Sequence, residues 1–188
     1  SLRHNSPRKT AFLFLFFLEF VSYQNCFMVL LDVELSHRPT SWRNPMRIGN
    51  LKLQNAEVKY SFLEYAEGKW MHLTYSIVPE APEPIADQIR TIEQAELEFF
   101  ERFSINEDTT ILRRFFSSDL ISHRDEIDKF KERKSSDFFL SVTEQPTTNS
   151  TKLAMIGMCL NNIKPGSKTR DGDLFYFDTT QDVQHLFF

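Results

Sequence analysis

From residue 46 onward the spacing of apolar positions changes period in an orderly way. Leu51-Lys52-Leu53 and Val58-Lys59-Tyr60-Ser61-Phe62 alternate with period two, the pattern of half-buried strands. Glu67-Gly68-Lys69 reads as a turn and Trp70 to Ile77 as a third strand, so the second and third strands are expected as antiparallel neighbours. Pro79, Pro82 and Pro84 then end the sheet. Ile85, Ile89, Ile92, Ala95, Phe99 and Phe103 recur at three- and four-residue steps, which predicts a long helix with one apolar stripe. Arg90, Glu93, Glu96 and Glu101 are expected on its solvated side.

Thr109 to Phe116 is β-branched and aromatic and predicts a further strand, after which Ser117, Ser118 and Asp119 offer helix N-cap oxygens. A second helix is expected over 120–134 with Ile127 and Phe130 inward. Phe138 to Glu144 should be a strand that stops at Gln145-Pro146. Lys152 to Leu160 is the most continuous apolar run of the domain and is expected as a central strand. A loop over 164–173, a short Leu174–Phe177 segment and a His185-Leu186-Phe187 tail close the chain. The order β-β-β-α-β-α-β-β predicts an α+β fold: a two-layer sandwich of one mixed sheet with two helices on one face.

Residues 1–45 read differently and are set apart as an atypical N-terminal extension, with the domain proper over 46–188. Arg3, Arg8 and Lys9 precede the apolar run Ala11–Leu18, the outline of a secretory signal. Glu19 closes that run, no A-x-A-like cleavage site follows, and about 20 apolar residues would be needed to span a membrane. Three readings stay open: an early start with Met28 or Met46 beginning the functional chain, a degenerate signal or anchor, or an element packed on the domain. A cytoplasmic location is expected, with export or anchoring through residues 11–31 as the alternative.

Composition narrows the chemistry. The 188 residues, 41% of them apolar, can bury one core. The 26 acidic against 22 basic side chains argue against nucleic-acid binding. Gly is too scarce, at five, for a phosphate-cradling loop, and Cys26 and Cys159 are too few for a disulfide framework or a cysteine-based zinc site. No Glu-x-x-His motif marks a metal site on the long helix, and no cofactor is expected. Arg113 and Arg114 adjoin on a strand, so only one can face the covered side of the sheet. Either an anion clamp or an ion pair at an edge or interface fits them. Glu144, at a strand end, is the best-placed carboxylate for a cleft between subunits, or else a strand-end salt bridge. His123 is expected on the surface among Arg124, Asp125 and Glu126, while His72 and His185 have no local triad partner. Cys159 should be an inert buried thiol. Ser117 and Ser118 lack the Gly-x-Ser-x-Gly elbow of a hydrolase and read as helix caps.

Several phrases carry a resemblance: Arg114-Phe115-Phe116-Ser117-Ser118-Asp119, Leu140 to Pro146 with Thr151 to Ala154 behind it, and Val183 to Phe187. Over roughly 46–188 the chain resembles the Rid (YjgF/endoribonuclease L-PSP) superfamily, and within it the N-terminal half of chorismatase and pteridine-dependent-dioxygenase-like proteins. The resemblance implies a chorismate-mutase-like sandwich of six strands and two helices, and trimers with ligand clefts between subunits. It also implies an arginine at the head of the strand before the Gln-Pro turn and a water-positioning glutamate in the strand after it. Asp137-Phe138 and Ala154-Met155 stand at those places. The reading that follows is a non-catalytic Rid-like module that oligomerises, as a trimer first and a dimer second. It would bind a small carboxylated metabolite, with Arg113, Arg114 and Glu144 as ligand-binding candidates. The alternative is a truncated or split chorismatase-like or imine-deaminase enzyme with its site between subunits.

Overall fold

The computed structural model describes residues 46–65, 69–134, 137–147, 150–172, 174–180 and 184–187. The N-terminal extension and the Glu67-Gly68 turn lie outside them.

The first three strands, β1 (Met46–Leu53), β2 (Ala56–Tyr65) and β3 (Lys69–Pro79), form an antiparallel meander. The β1–β2 hairpin closes in two residues, Gln54 and Asn55, both with positive φ (50° and 61°), the geometry that matches the twist of the flanking strands. Helix α1 (Ile85–Phe103) follows, then β4 (Thr110–Ser117), helix α2 (Leu120–Arg133), β5 (Phe139–Glu144) and β6 (Leu153–Leu160). The sheet order is β1-β2-β3-β6-β4-β5. Strand β6 is antiparallel to both neighbours, and β4 and β5 pair in parallel across α2. The run Leu153–Leu160 is thus central, as its continuous apolar character predicts.

Both helices lie on one face. Ile89, Ile92, Ala95 and Phe99 of α1 and Ile127 and Phe130 of α2 are buried against Val58, Phe62, Leu73, Ile77, Phe115 and Met155. Gln88, at the start of α1, is buried but fully used. Its Oε1 accepts from the backbone N–H of Lys152 (2.9 Å) and Leu153 (3.1 Å), and its Nε2 donates to the Glu83 carbonyl. One side chain therefore fixes the helix to the first residues of β6. A two-pronged contact from Arg133 to Glu93 (3.0 and 2.7 Å) joins the helices at the surface.

Four expectations need correction. Glu96 is not on a solvated helix face but is 1% exposed, because it shares the stripe of Ile89, Ile92 and Phe99 and meets a buried cation there. His123 is buried rather than on the surface, its ring turned inward to Ser117. Asp119, not either serine, caps α2 by accepting from the Ser122 N–H, and Ser117 still belongs to β4. Finally, the expected C-terminal loop and tail contain strands. Thr169–Asp171 (β7), Leu174–Asp178 (β8) and Gln184–Phe187 (β9) form a second, antiparallel sheet.

That small sheet gives the molecule a third layer at one end. Phe175, Phe177 and Phe187 pack on Leu112, Phe139, Met158 and Leu160, which lie on the helix-free face of the main sheet. A register irregularity between Thr110 and Leu112 turns Ile111 into the same cluster. Lys168 secures the layer by donating to the carbonyls of Thr110 (2.6 Å) and Asp137 (2.8 Å), and Arg170 donates to that of Phe138 (2.7 Å). Among the described residues no helix is long and apolar enough to cross a membrane.

Phe99 is fully buried and touches the rings of Tyr60, Tyr75, Phe100 and Phe103. Truncating it to Ala should cost about 3–5 kcal/mol. Urea denaturation of the two proteins checks this, and an unchanged midpoint would contradict the packing.

Candidate functional site

The two adjacent arginines part company at β4. Arg113 enters the core, fully buried, and Arg114 faces the other way. Arg113 Nε donates to Glu96 Oε1 (2.7 Å) and Nη2 to Glu107 Oε1 (2.9 Å), and the guanidinium lies 4.3 Å over the Phe138 ring. Glu96 collects two further donors: Tyr75 Oη at 2.5 Å, and Lys134 Nζ at 2.7 Å on its other oxygen. Two carboxylates thus face two cations, with a phenol as an extra donor.

Tyr75 reaches Glu96 only because its β6 partner is Gly157. A Cβ there would meet the tyrosine ring at 2.0 Å. Burial alone would raise the Glu96 carboxyl, but Arg113 and Lys134 outweigh it and hold the group at about 2. Burial also disfavours the Arg113 cation, yet the Glu96 charge raises its proton affinity overall. Tyr75 is pushed well above the ordinary phenol value, first by burial and then by the Glu96 charge. These groups are locked in their charged or neutral states and bond to one another, which suits structure better than proton transfer.

A cavity of about 210 Å³ opens beside this network, floored by Leu97, Phe100 and Ile105. Its cation, Lys134, already contacts Glu96 and Glu107 (2.7 and 3.7 Å). The cavity therefore offers a ligand apolar contact and the Glu101 carboxylate in its lining, but its one cation is already paired.

Arg114 stands in a different setting. Its backbone partners are Ser141 on β5 and Ile156 on β6, and its Nε donates to Ser141 Oγ at 3.2 Å. The open-face register positions of β3 to β6 hold His72, Thr74, Ser76 and Val78, then Leu112 and Phe116, then Phe139, Ser141 and Thr143, and Ala154, Ile156, Met158 and Leu160. None is a carboxylate. Burial lowers the His72 pKa and favours its neutral form. Arg114 is therefore the one formal charge on this part of the face, half-buried and without an acidic partner among the described residues. An ionised fork held at one nitrogen by a neutral hydroxyl has the geometry to pair with a carboxylate.

Glu144 is exposed at the end of β5 and pairs in register with Ser117, whose side chain points to the helix layer. It does not share a face with Arg114. The structure thus brings none of the three candidates together: Arg113 is in the core, Arg114 on the open face, and Glu144 at a strand end. Of the positions tied to deaminase chemistry, Phe138 and Met155 are buried and Ala154 lies on the open face.

The remaining groups are quiet. Burial pushes the Cys159 thiol up to about 12, only partly offset by its contact with Thr110 (3.5 Å). Ser117 Oγ and His123 Nδ1 lie 2.8 Å apart in the interior, and burial lowers the His123 pKa. That bond ties the start of α2 to the end of β4. Among the described residues no cluster of His, Cys, Asp and Glu is arranged to hold a metal ion.

What the sequence did not reveal was Glu96 as the hub of the buried network. A signal existed. The steps 85, 89, 92, 96, 99, 103 are an unbroken run of fours and threes, so a charge at 96 lies within the apolar stripe. Such a charge must find a counter-ion.

Comparison with solved structures returns small proteins that this chain covers almost completely, at low identity. A Salmonella typhimurium protein described as a candidate translation initiation inhibitor superposes with a TM-score of 0.42 at 13% identity, over 60% of this chain and 96% of that one. A counterpart from Vibrio vulnificus CMCP6 gives 0.39 at 14%, over 64% and 92%. Yeast Mmf1 gives 0.38 at 11%, over 62% and 98%. No family model matches the chain, and neither does any curated protein.

Removing one member of a buried ion pair leaves the other uncompensated, so Glu96→Ala should destabilise the fold by about 3–5 kcal/mol. The pH dependence has a definite sign. The carboxyl is lowered from 4.5 to about 2, so its stabilisation is present above pH 4.5 and is lost as pH falls through 2. The stability difference between wild type and Glu96→Gln should shrink across that interval. Equilibrium denaturation at a series of pH values measures it, and a constant difference would contradict the assignment.

Proposed function

We propose that this chain is a non-catalytic Rid-like module that self-associates through the open face of its main sheet and binds a small carboxylated metabolite there. The observation that carries the reading is Arg114, a half-buried guanidinium with a neutral hydroxyl partner and no counter-charge on β3 to β6. Sheet order and helix placement support the Rid-like part, since the resemblance implies this arrangement of six strands and two helices. Self-association is supported by apolar side chains on this face: Met46 and Ile48 are 50% and 64% exposed on β1, and Phe116 and Ile156 are partly buried. Exposed apolar surface of a few hundred Å² commonly marks an interface. A trimer is the first expectation and a dimer the second, read by light scattering at micromolar concentration. A monomer would oppose this part of the reading.

The absence of catalysis follows from chemistry. Asp137 and the buried Phe138 supply no cation where the resemblance calls for one, and Ala154 and Met155 can neither accept nor relay a proton. Purified protein should leave 2-iminobutyrate and chorismate at the buffer rate. Turnover that vanishes in Arg114→Ala would show an enzyme, with Arg114 as the substituted cation. For binding, Arg114→Ala should weaken affinity for a small carboxylate roughly tenfold to a hundredfold, the loss of one charge-assisted pair of about 1.5–3 kcal/mol. Calorimetric titration reads that difference.

A further inference from the structure

We propose that the cavity at the C-terminal end of α1 is a ligand site of its own, which takes a small amine: an apolar body of about one ring carrying a single ammonium. The inference stands apart from the reading of Arg114, which lies on the other face of the main sheet.

Size and lining set the body of the ligand. Leu97, Phe100 and Ile105 supply apolar contact, and Leu97 is 60% exposed, so part of that lining still faces water. An apolar cavity of about 150 Å³ accommodates benzene. The volume here, about 210 Å³, leaves room for a short arm on such a ring.

Charge sets the head group. Glu96, Glu101 and Glu107 line the cavity against one cation, Lys134. Arg113 is fully buried outside the lining and pairs with Glu96 and Glu107. Two cations therefore balance two carboxylates, and Glu101 is left over. Its carboxylate has no hydrogen-bond or ion-pair partner among the described residues. Arg102, the next residue, is turned by the helical period to the opposite side of α1 from the cavity. The last turn of the helix adds partial negative charge, which also favours a cation. An anion would meet the reverse situation. To pair with it, Lys134 would have to leave Glu96, at 2.7 Å, and a buried carboxylate would lose a counter-charge. The cavity thus selects an amine over the acid of the same shape.

The test is a titration of the full chain with phenethylamine at pH 7, where the amine is charged, followed in amide NMR spectra. Saturable shifts should cluster at residues 96–105 and at Lys134. Phenylpropionate, which carries a carboxylate in place of the ammonium, should leave those signals unmoved wherever else it binds. Glu101→Gln changes an exposed position and should keep the fold while weakening amine binding about fivefold, the worth of one exposed ion pair. Equal shifts there from amine and acid, or an unchanged affinity in Glu101→Gln, would overturn the proposal. So would amine shifts that never saturate or that fall outside this end of α1. None of these outcomes bears on Arg114, whose role is decided by Arg114→Ala with a carboxylate.

Discussion

The carboxylate of Glu96 is the point at which the helix layer is tied to the main sheet. It projects from α1 and receives Tyr75 from β3, Arg113 from β4 and Lys134 from the end of α2. Hydrophobic contact would hold the helices near the sheet, since apolar burial is nearly indifferent to small rotations. Hydrogen bonds at 2.5 to 2.7 Å are not indifferent. They fix how far α1 is turned about its axis and where it sits along β3 and β4. A well-packed apolar cluster of the same volume could be as stable, because enclosing ions costs much of what their attraction returns. The ionic version adds a single allowed registry between helix and sheet.

The same constraint explains what could be read along the chain. Strands and helices follow from period two and period 3.6, and all six main strands and both helices were legible that way. Glu96 and His123 were not, because their residue types favour water and only their tertiary partners reverse the preference. Glu96 needs Arg113, seventeen positions away. His123 needs the hydroxyl of Ser117 on a strand end that was expected to lie outside the strand. The C-terminal layer was legible only in part. Its strands are short, with Thr169–Asp171 wholly exposed, so no alternation of burial announces it.

At the candidate site, alternation along β4 shows that the two arginines must diverge, but not which goes inward. That choice depends on the register with β5 and β6 and on the position of Glu96. Neighbours in sequence consequently occupy opposite electrostatic worlds. One guanidinium is neutralised by its own chain, and the other is left to the surroundings. Glu144 could not be placed beside either from the sequence, since its side of the sheet depends on the same parallel register with β4.

The hollow at Gly157 has an evolutionary consequence. Tyr75 occupies the space where a side chain at 157 would begin, and its hydroxyl serves Glu96. Enlarging Gly157 alone collides with the ring. Shrinking Tyr75 alone opens a void and withdraws a donor from a buried carboxylate. Each single step is harmful, while a coordinated change of both could be tolerated. The pair therefore behaves as one heritable unit across two strands, and drift at either position is blocked until both move.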